Sequence, residues 1–304
     1  MSIRTRSPDF FVVGAQKAGT TTLHDQLAKC VFVNLPITKE THYFSDENNY
    51  TRGLDWYYKQ FPSSASFIKR GEVAPDYLFS EQAPARIKSI TSTPEIICLF
   101  RNPIERAHSN YLMAVRNGYE TLSFYDALLA EGERTSNGDI KNLQLFSYLG
   151  RSLYGKQISH YLKTLPDAKY LYIKFEDFTD KGSIGHETHQ RICDFIGLPQ
   201  CLSEFDLSTK SNVASKPRSS FLRNQLYNPS WAKRALRLLI PSYDLRARIA
   251  YKLDKFNQRP ILKSPIGNVP SETINRLLDD LEIFQRLTDI DITNWKIGIS
   301  SHNQ

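Results

Sequence analysis

The 304-residue sequence has no apolar run approaching the roughly 18 residues that a membrane-spanning helix needs, so no transmembrane segment is expected. Cysteine is scarce. The four cysteines, Cys30, Cys98, Cys193 and Cys201, are scattered and form no C-x-x-C pair. That excludes a disulfide-dense secreted scaffold. The expectation is reduced, mostly buried thiols in a cytoplasm, with a Cys193–Cys201 bridge as the weaker alternative. No His/Cys group has metal-ligand spacing, so no metal site is expected. Met1 to Pro8 contains no apolar core, so no signal peptide is expected either. Internal repeats and low-complexity tracts are also missing, and nothing in the sequence speaks to oligomeric state.

What remains is a chain with 40% hydrophobic residues and 23% charged ones. That is enough for one large core, with or without a small appendage. Phe10–Val13, Glu95–Phe100 and Lys169–Phe175 are short apolar runs of the kind buried on both faces of a sheet. Helical patterns follow at Thr20 to about Cys30, Ile104–Arg116, Ser123–Glu131, Leu153–Leu165 and Ser271–Leu287, the last with Ser271 as N-cap. Strands alternating with helices predict an α/β fold with a mostly parallel sheet. Functional residues in such sheets gather at the carboxyl ends of the strands.

The first of those ends is the most informative segment. Phe10-Phe11-Val12-Val13 runs into Gly14-Ala15-Gln16-Lys17-Ala18-Gly19, and Thr20-Thr21-Thr22 opens a helix. Strand, glycine-bracketed turn and helix start aim backbone N–H groups at one point, which suits a phosphate. The ATP/GTP version of this loop is G-x-x-x-x-G-K-[ST]. Here the glycines keep that spacing, but Thr20 stands where the lysine would be and Lys17 lies inside the loop. The Lys-x-Gly-Thr-Thr core resembles the 5′-phosphosulfate loop of sulfotransferases that use 3′-phosphoadenosine 5′-phosphosulfate (PAPS). The resemblance implies that Gln16, Lys17, Ala18, Gly19, Thr20, Thr21 and Thr22 bind the nucleotide, with Lys17 also catalytic.

A second segment strengthens it. Arg101-Asn102-Pro103-Ile104-Glu105-Arg106-Ala107-His108-Ser109-Asn110-Tyr111 follows the second buried strand. It matches every element of Arg-x-Pro-x-x-Arg-x-x-Ser-x-Tyr, the 3′-phosphate element of the same family. Arg101 offers a rigid fork for a phosphate and Ser109 a hydroxyl. Arg106 is read as structural.

In the third segment, Lys39-Glu40-Thr41-His42-Tyr43-Phe44, Glu40 and His42 are two apart and share a face if the backbone is extended. Two titratable groups beside an anion loop are general-base candidates. The segment resembles the Glu-x-His-Phe-Phe element of heparan sulfate 3-O-sulfotransferases and their N-sulfotransferase relatives, where the glutamate is the base. Leu54–Tyr58 and Phe61-Pro62 match downstream. Two positions depart: Ser45 replaces an aspartate, though Asp46 adjoins it, and in Gly71-Glu72-Val73-Ala74-Pro75-Asp76-Tyr77 Val73 replaces the lysine of a Glu-Lys pair. Both bear on the acceptor rather than on the nucleotide. Lys216, Pro217 and Arg218, within Ser211–Ser219, resemble the loop that closes over the 3′-phosphate, and Leu287–Trp295 resembles the end of bacterial sulfotransferase domains.

The resemblance therefore covers the chain as a single domain, 1–304. It implies an α/β nucleotide-binding core at 8–200 in a P-loop-like three-layer fold, then a cofactor-covering loop and helical part at 201–304. The implied activity is sulfuryl transfer from PAPS to a hydroxyl or amine of a carbohydrate or small molecule, without a metal, releasing PAP (3′-phosphoadenosine 5′-phosphate). Glu40, Lys17 and His42 are the catalytic candidates, with Glu40 as base and His42 as the alternative. A P-loop kinase is the enzyme rival. A nucleotide-binding module without turnover is another. A third rival is a nucleic-acid-binding protein, because the net charge of +7 is concentrated between Ser230 and Arg259, where eight basic residues face only Asp244 and Asp254. That stretch reads as a solvated helical face or as an acceptor or membrane-surface patch, and no nucleic-acid partner is expected.

Overall fold

The computed structural model describes residues 7–62, 67–205, 215–217, 258–260 and 266–302. The core is a five-stranded sheet. Its strands are β1 (Phe10–Gly14), β2 (Val33–Asn34), β3 (Lys69–Val73), β4 (Glu95–Phe100) and β5 (Lys169–Lys174), in the order β2-β3-β1-β4-β5. Every neighbouring pair is parallel. β1 lies in the middle and all five of its residues are buried. A strand covered on both faces needs apolar side chains pointing both ways, which is why Phe10–Val13 reads as a continuous run. Val12 aligns with Val73 on one side and with Ile97 on the other.

Helices supply the crossovers. They are α1 (Thr20–Leu27), the short α2 (Glu47–Tyr50) and α3 (Leu54–Tyr58), α4 (Ala83–Lys88), α5 (Pro103–Asn117), α6 (Phe124–Thr135), α7 (Ile140–Phe146), α8 (Tyr154–Thr164), α9 (Phe175–Phe178) and α10 (Ser183–Phe195). α11 (Ser271–Thr288) then returns against α8, and α12 (Thr293–Ser300) follows. Buried Asp280 on α11 accepts the N–H groups of Gly155 (2.7 Å) and Lys156 (2.9 Å), which closes the start of α8 with a negative charge. Only glycine fits at 155, since a Cβ there would stand 2.4 Å from the Asp280 carbonyl oxygen. Two short strands, β6 (Ser215–Pro217) and β7 (Gln258–Pro260), pair antiparallel, and β6 lies beside α5.

Three sequence readings change. Pro270, not Ser271, occupies the N-cap of α11 and supplies no side-chain cap. Cys201 is bonded to Cys30 rather than to Cys193, with Cα atoms 5.5 Å apart. The bridge ties the turn after α1 to the 3₁₀ turn Pro199–Glu204. Only Cys98 and Cys193 are free, both buried, so the thiol argument for a cytoplasmic setting loses its basis. Third, β5 ends the sheet and buries only Leu171 and Ile173, so it is not covered on both faces as its run suggested; β3 carries no hydrophobic run, and the sequence did not announce it. The basic stretch from Ser230 to Arg259 lies outside the described residues except for Gln258 and Arg259.

Candidate active site

The loop after β1 is built as its glycines require. Gly19 caps α1 with φ of 92°, a left-handed conformation, and a Cβ there would crowd the Phe175 ring at 3.1 Å. The Ala15 N–H donates to the Leu99 carbonyl (2.6 Å) and the Ala18 N–H to the Ala15 carbonyl (3.1 Å). The N-cap, Gly19, has no side chain with which to cap α1, and a helix start of this kind offers its first N–H groups, here those of Thr20, Thr21 and Thr22, to an anion. Lys17 itself sits at φ of 73°, uncommon for a residue with a side chain. Its ammonium lies 3.8 Å from Sδ of Met113 on α5. Burial, then the charges of Arg116, Arg101, Arg106 and Lys39, push its pKa down from 10.5 to about 8. Cations thus converge beside a helix N-terminus.

The end of β4, next to β1, brings in the second segment. Arg101 holds Glu105 at 2.6 Å and lies 4.9 Å over the Phe175 ring. Asn102 caps α5, its side-chain oxygen accepting from Ile104 N–H (3.0 Å) and Glu105 N–H (3.3 Å). Ser109 is half-buried on the same helix. Arg106 is fully buried and donates to Ser152 Oγ (2.7 Å) and to the carbonyls of Tyr148 and Gln16, so it braces the loop after β1. Ser215, Lys216 and Pro217 form β6; Arg218 lies outside the described residues.

Glu40 and His42 do share a face, but not through extended backbone. Both are left-handed, with φ of 62° and 52°. Thr41 between them turns inward to Glu72. That fully buried carboxylate on β3 accepts the N–H (3.1 Å) and hydroxyl (2.6 Å) of Thr41 and the hydroxyls of Tyr57 (2.8 Å) and Tyr77 (3.0 Å). Burial raises the Glu72 pKa, while its four donors act in the opposite sense. Tyr43 stacks on Tyr57 with centroids 4.6 Å apart, and Phe44 meets Phe11 edge-on at 5.7 Å. The loop is therefore pinned to the core on either side of the two residues it exposes.

Those two face a polar cavity. Glu40 pairs with Lys39, which also donates to Thr21 Oγ1 at 3.2 Å, so the acid and the anion loop are directly linked. His42 Nε2 lies 3.9 Å from Glu40 Oε2. On its other side, Nδ1 is 3.1 Å from Asp76 Oδ2, a charge contact rather than an aligned hydrogen bond. Asp76 Oδ1 accepts from Arg151 Nη1 at 2.9 Å. Burial alone would raise the Asp76 pKa, but Arg151 and His42 outweigh it and hold this carboxyl well below the usual range. The Asp76 contact, followed by the charges of Asp76, Glu40 and Glu72, raises the His42 pKa against the opposing effect of burial. The cavity measures about 410 Å³, and all eight of its lining residues are polar, including Gln16, Glu40, His42, Asp46, Asp76 and Arg151. Another cavity of equal volume, lined by Lys174, Arg191 and Asp289 among others, touches none of these groups.

One surface thus joins an anion loop, a set of cations and a carboxylate–imidazole pair. Sequence reasoning quoted Lys39, Glu72 and Asp76 within its motifs but gave them no role. Arg151 stood in no motif at all. Residues 7–229 match the family model described as the sulfotransferase domain, and the chain belongs to that family. It is 26% identical over 227 residues to human heparan sulfate glucosamine 3-O-sulfotransferase 6, covering 71% of this chain and 62% of that protein. It is 32% identical over 205 residues to human bifunctional heparan sulfate N-deacetylase/N-sulfotransferase 3, covering 64% of this chain and 22% of that protein. The chain thus spans less than two thirds of the length of either. Among solved structures, a sulfotransferase from Alicyclobacillus acidocaldarius superposes with a TM-score of 0.64 at 23% identity, covering 96% of this chain and 99% of that one. The parallel sheet flanked by helices is the P-loop-like sulfotransferase fold.

Proposed function

We propose that the protein transfers a sulfuryl group from PAPS to a hydroxyl or amine of a carbohydrate or small molecule and releases PAP. The observation that carries this reading is the placement of Lys17: its ammonium is buried at the start of α1 among Arg116, Arg101, Arg106 and Lys39, and burial and those charges push its pKa down to about 8. Such a gathering is costly unless an anion is to be bound there, and the uncapped start of α1 adds N–H donors aimed the same way. The buried Gln16 Oε1 has no hydrogen-bond partner among the described residues, a further sign of a ligand group.

In this reading Gln16 to Thr22 hold the 5′-phosphate and Lys17 stabilises charge on the leaving phosphate and the transferring group. Arg101 exchanges Glu105 for the 3′-phosphate, with Ser109 and the Lys216–Arg218 segment beside it. PAPS supplies the activated sulfonate. Glu40 takes the acceptor proton as the new bond to sulfur forms and the bond to the leaving phosphate breaks. The polar lining suits a hydroxylated acceptor, and with Glu40, Asp46 and Asp76 in the wall the reacting unit is uncharged or amine-bearing. Residue 73, where the sequence departs from the Glu-Lys pattern, is a buried valine and adds no cation.

Calorimetry with PAP, AMP and ATP–magnesium tests the donor. PAP should bind more tightly than AMP by roughly 2–4 kcal/mol, the scale of two charge-assisted contacts. Arg101→Ala should collapse that gap. Equal binding of PAP and AMP, or preference for ATP with magnesium, overturns the proposal. A sulfate-transfer screen on neutral glycans, amino sugars and small metabolites, read by mass spectrometry, identifies the acceptor.

A further inference from the structure

We propose that Asp76 is a positioning residue for His42: it fixes the ring so that Nε2 faces Glu40 and the reacting acceptor atom. The proposal rests on the transferase reading above and assigns a residue to which no motif gave a role. Three contacts make the case. Asp76 Oδ2 is 3.1 Å from His42 Nδ1, Oδ1 is 2.9 Å from Arg151 Nη1, and His42 Nε2 is 3.9 Å from Glu40 Oε2. The four groups form one line from Arg151 to the base candidate.

The anchor itself is rigid. Asp76 lies in the turn after β3. Ala74 N–H donates to the Val12 carbonyl (3.0 Å) and Leu78 N–H to the Val13 carbonyl (2.8 Å), so the turn is bonded to the strand that carries the phosphate loop. Tyr161 OH donates to the Tyr77 carbonyl at 2.8 Å. Arg151 is only 5% exposed and stacks 4.6 Å over Phe79. The placement of His42 is thereby referred to the same backbone as Lys17. A carboxylate charge beside one nitrogen of a histidine favours the imidazolium, in which both ring nitrogens carry protons. With Nδ1 turned to Asp76, Nε2 directs its proton at the acceptor side of the cavity. Glu40 remains the acceptor of the substrate proton, and His42 becomes the neighbouring donor. The groups facing His42 are Asp76 and Glu40 directly, with Glu72 beneath the loop and Arg151 behind Asp76.

A purely structural Asp76–Arg151 bridge makes a different prediction. If the pair only staples the turn to the start of α8, Asp76→Asn and Arg151→Met act alike: both loosen the fold, and turnover follows stability in each. If Asp76 positions His42, they act in opposite directions. Asp76→Asn removes the negative charge beside the ring, so His42 titrates at lower pH. Arg151→Met removes the cation that competes for Asp76, so His42 titrates at higher pH. NMR titration of histidine-labelled protein reads this directly, with the His42 signal assigned by its loss in His42→Gln. Turnover should fall at least about tenfold in Asp76→Asn with PAP affinity unchanged, and Asp76→Glu should restore part of it. An unmoved His42 titration in both variants overturns the proposal. So does a shift of the same sign in both. Should Asp76→Asn fail to fold, the Arg151→Met shift decides alone. Because the titration needs no substrate, it fails or holds independently of the transferase reading.

Discussion

Replacing Lys17 with methionine should make the resting protein more stable and the catalyst worse. The side chain keeps its bulk and its contact with Met113, but the ammonium is gone. In the folded chain its pKa falls from 10.5 to about 8, through burial first and then Arg116, Arg101, Arg106 and Lys39. Each unit corresponds to about 1.4 kcal/mol, so holding Lys17 charged at neutral pH costs about 3 kcal/mol of folding stability. Below about pH 8 the folded protein carries that cost in full. Between 8 and 10.5 the unfolded chain binds more protons than the folded one, so wild-type stability rises with pH. Above 10.5 the lysine is neutral in both states and the cost is gone. Lys17→Met should therefore melt roughly 5–10 °C above wild type at pH 7, and the gap should close as pH climbs past 8. Added PAP should raise the wild-type melting temperature more than that of the variant, because the anion relieves the repulsion only where the ammonium is present. Turnover in Lys17→Met should drop by on the order of 10²-fold or more. Thermal melts at pH 7 and pH 10, with and without PAP, make the measurement. Equal melting temperatures at pH 7, or a gap that persists at pH 10, would refute the electrostatic argument.

Glu40→Gln should lower kcat by roughly 10²–10⁴-fold while calorimetry finds PAP affinity unchanged; an active Glu40→Gln alongside a dead His42→Ala would reverse the two roles. Glu72→Ala should destabilise the fold by roughly 3–5 kcal/mol in urea titrations, since it strands the buried hydroxyls of Thr41, Tyr57 and Tyr77; a loss below about 1 kcal/mol would show that the loop is held by its aromatics alone. Breaking the Cys30–Cys201 bridge with reductant, or with Cys30→Ser, should cost up to about 5 kcal/mol by the chain-entropy relation for its separation of 171 residues. An unchanged melting temperature in dithiothreitol would deny the bridge a structural role.

The sequence showed those parts of the molecule in which residue type and structure answer to the same local rule. β1 and β4 are buried on both faces and so read as apolar runs, and β5, at the sheet's end, reads through buried Leu171 and Ile173. Gly19 and the threonines after it declare a left-handed cap and an uncapped helix start. β3 obeys neither signal. Its run Lys69-Arg70-Gly71-Glu72-Val73 is polar, yet Arg70 is 1% and Glu72 0% exposed. Their burial is made tolerable by partners outside the strand, Phe61 under the Arg70 guanidinium and Thr41, Tyr57 and Tyr77 around the Glu72 carboxylate. Hydropathy cannot register a charge that is satisfied at a distance. The same reason hid the Cys30–Cys201 pairing, which depends on the turn after α1 meeting the end of α10's connection rather than on any spacing.

The site divides along that line as well. Its phosphate half is written locally, in one loop and one helix start, and the spacing of Gly14, Lys17 and Gly19 suffices to find it. Its proposed acceptor half is assembled from residues that only the fold brings together: Arg151 meets Asp76 across 75 positions, and Asp76, in the turn after β3, meets His42. Glu40 and His42 were legible as a pair but not as left-handed residues, because the reason for their conformation is Thr41 reaching inward to Glu72. A buried carboxylate on the charged strand β3 thus sets the direction of two catalytic candidates it never touches. Substitutions in the phosphate half should therefore change nucleotide affinity in proportion to the contact removed. Substitutions at Glu72 or Asp76 should instead change turnover with nucleotide affinity intact, since what they disturb is the aim of side chains already in place.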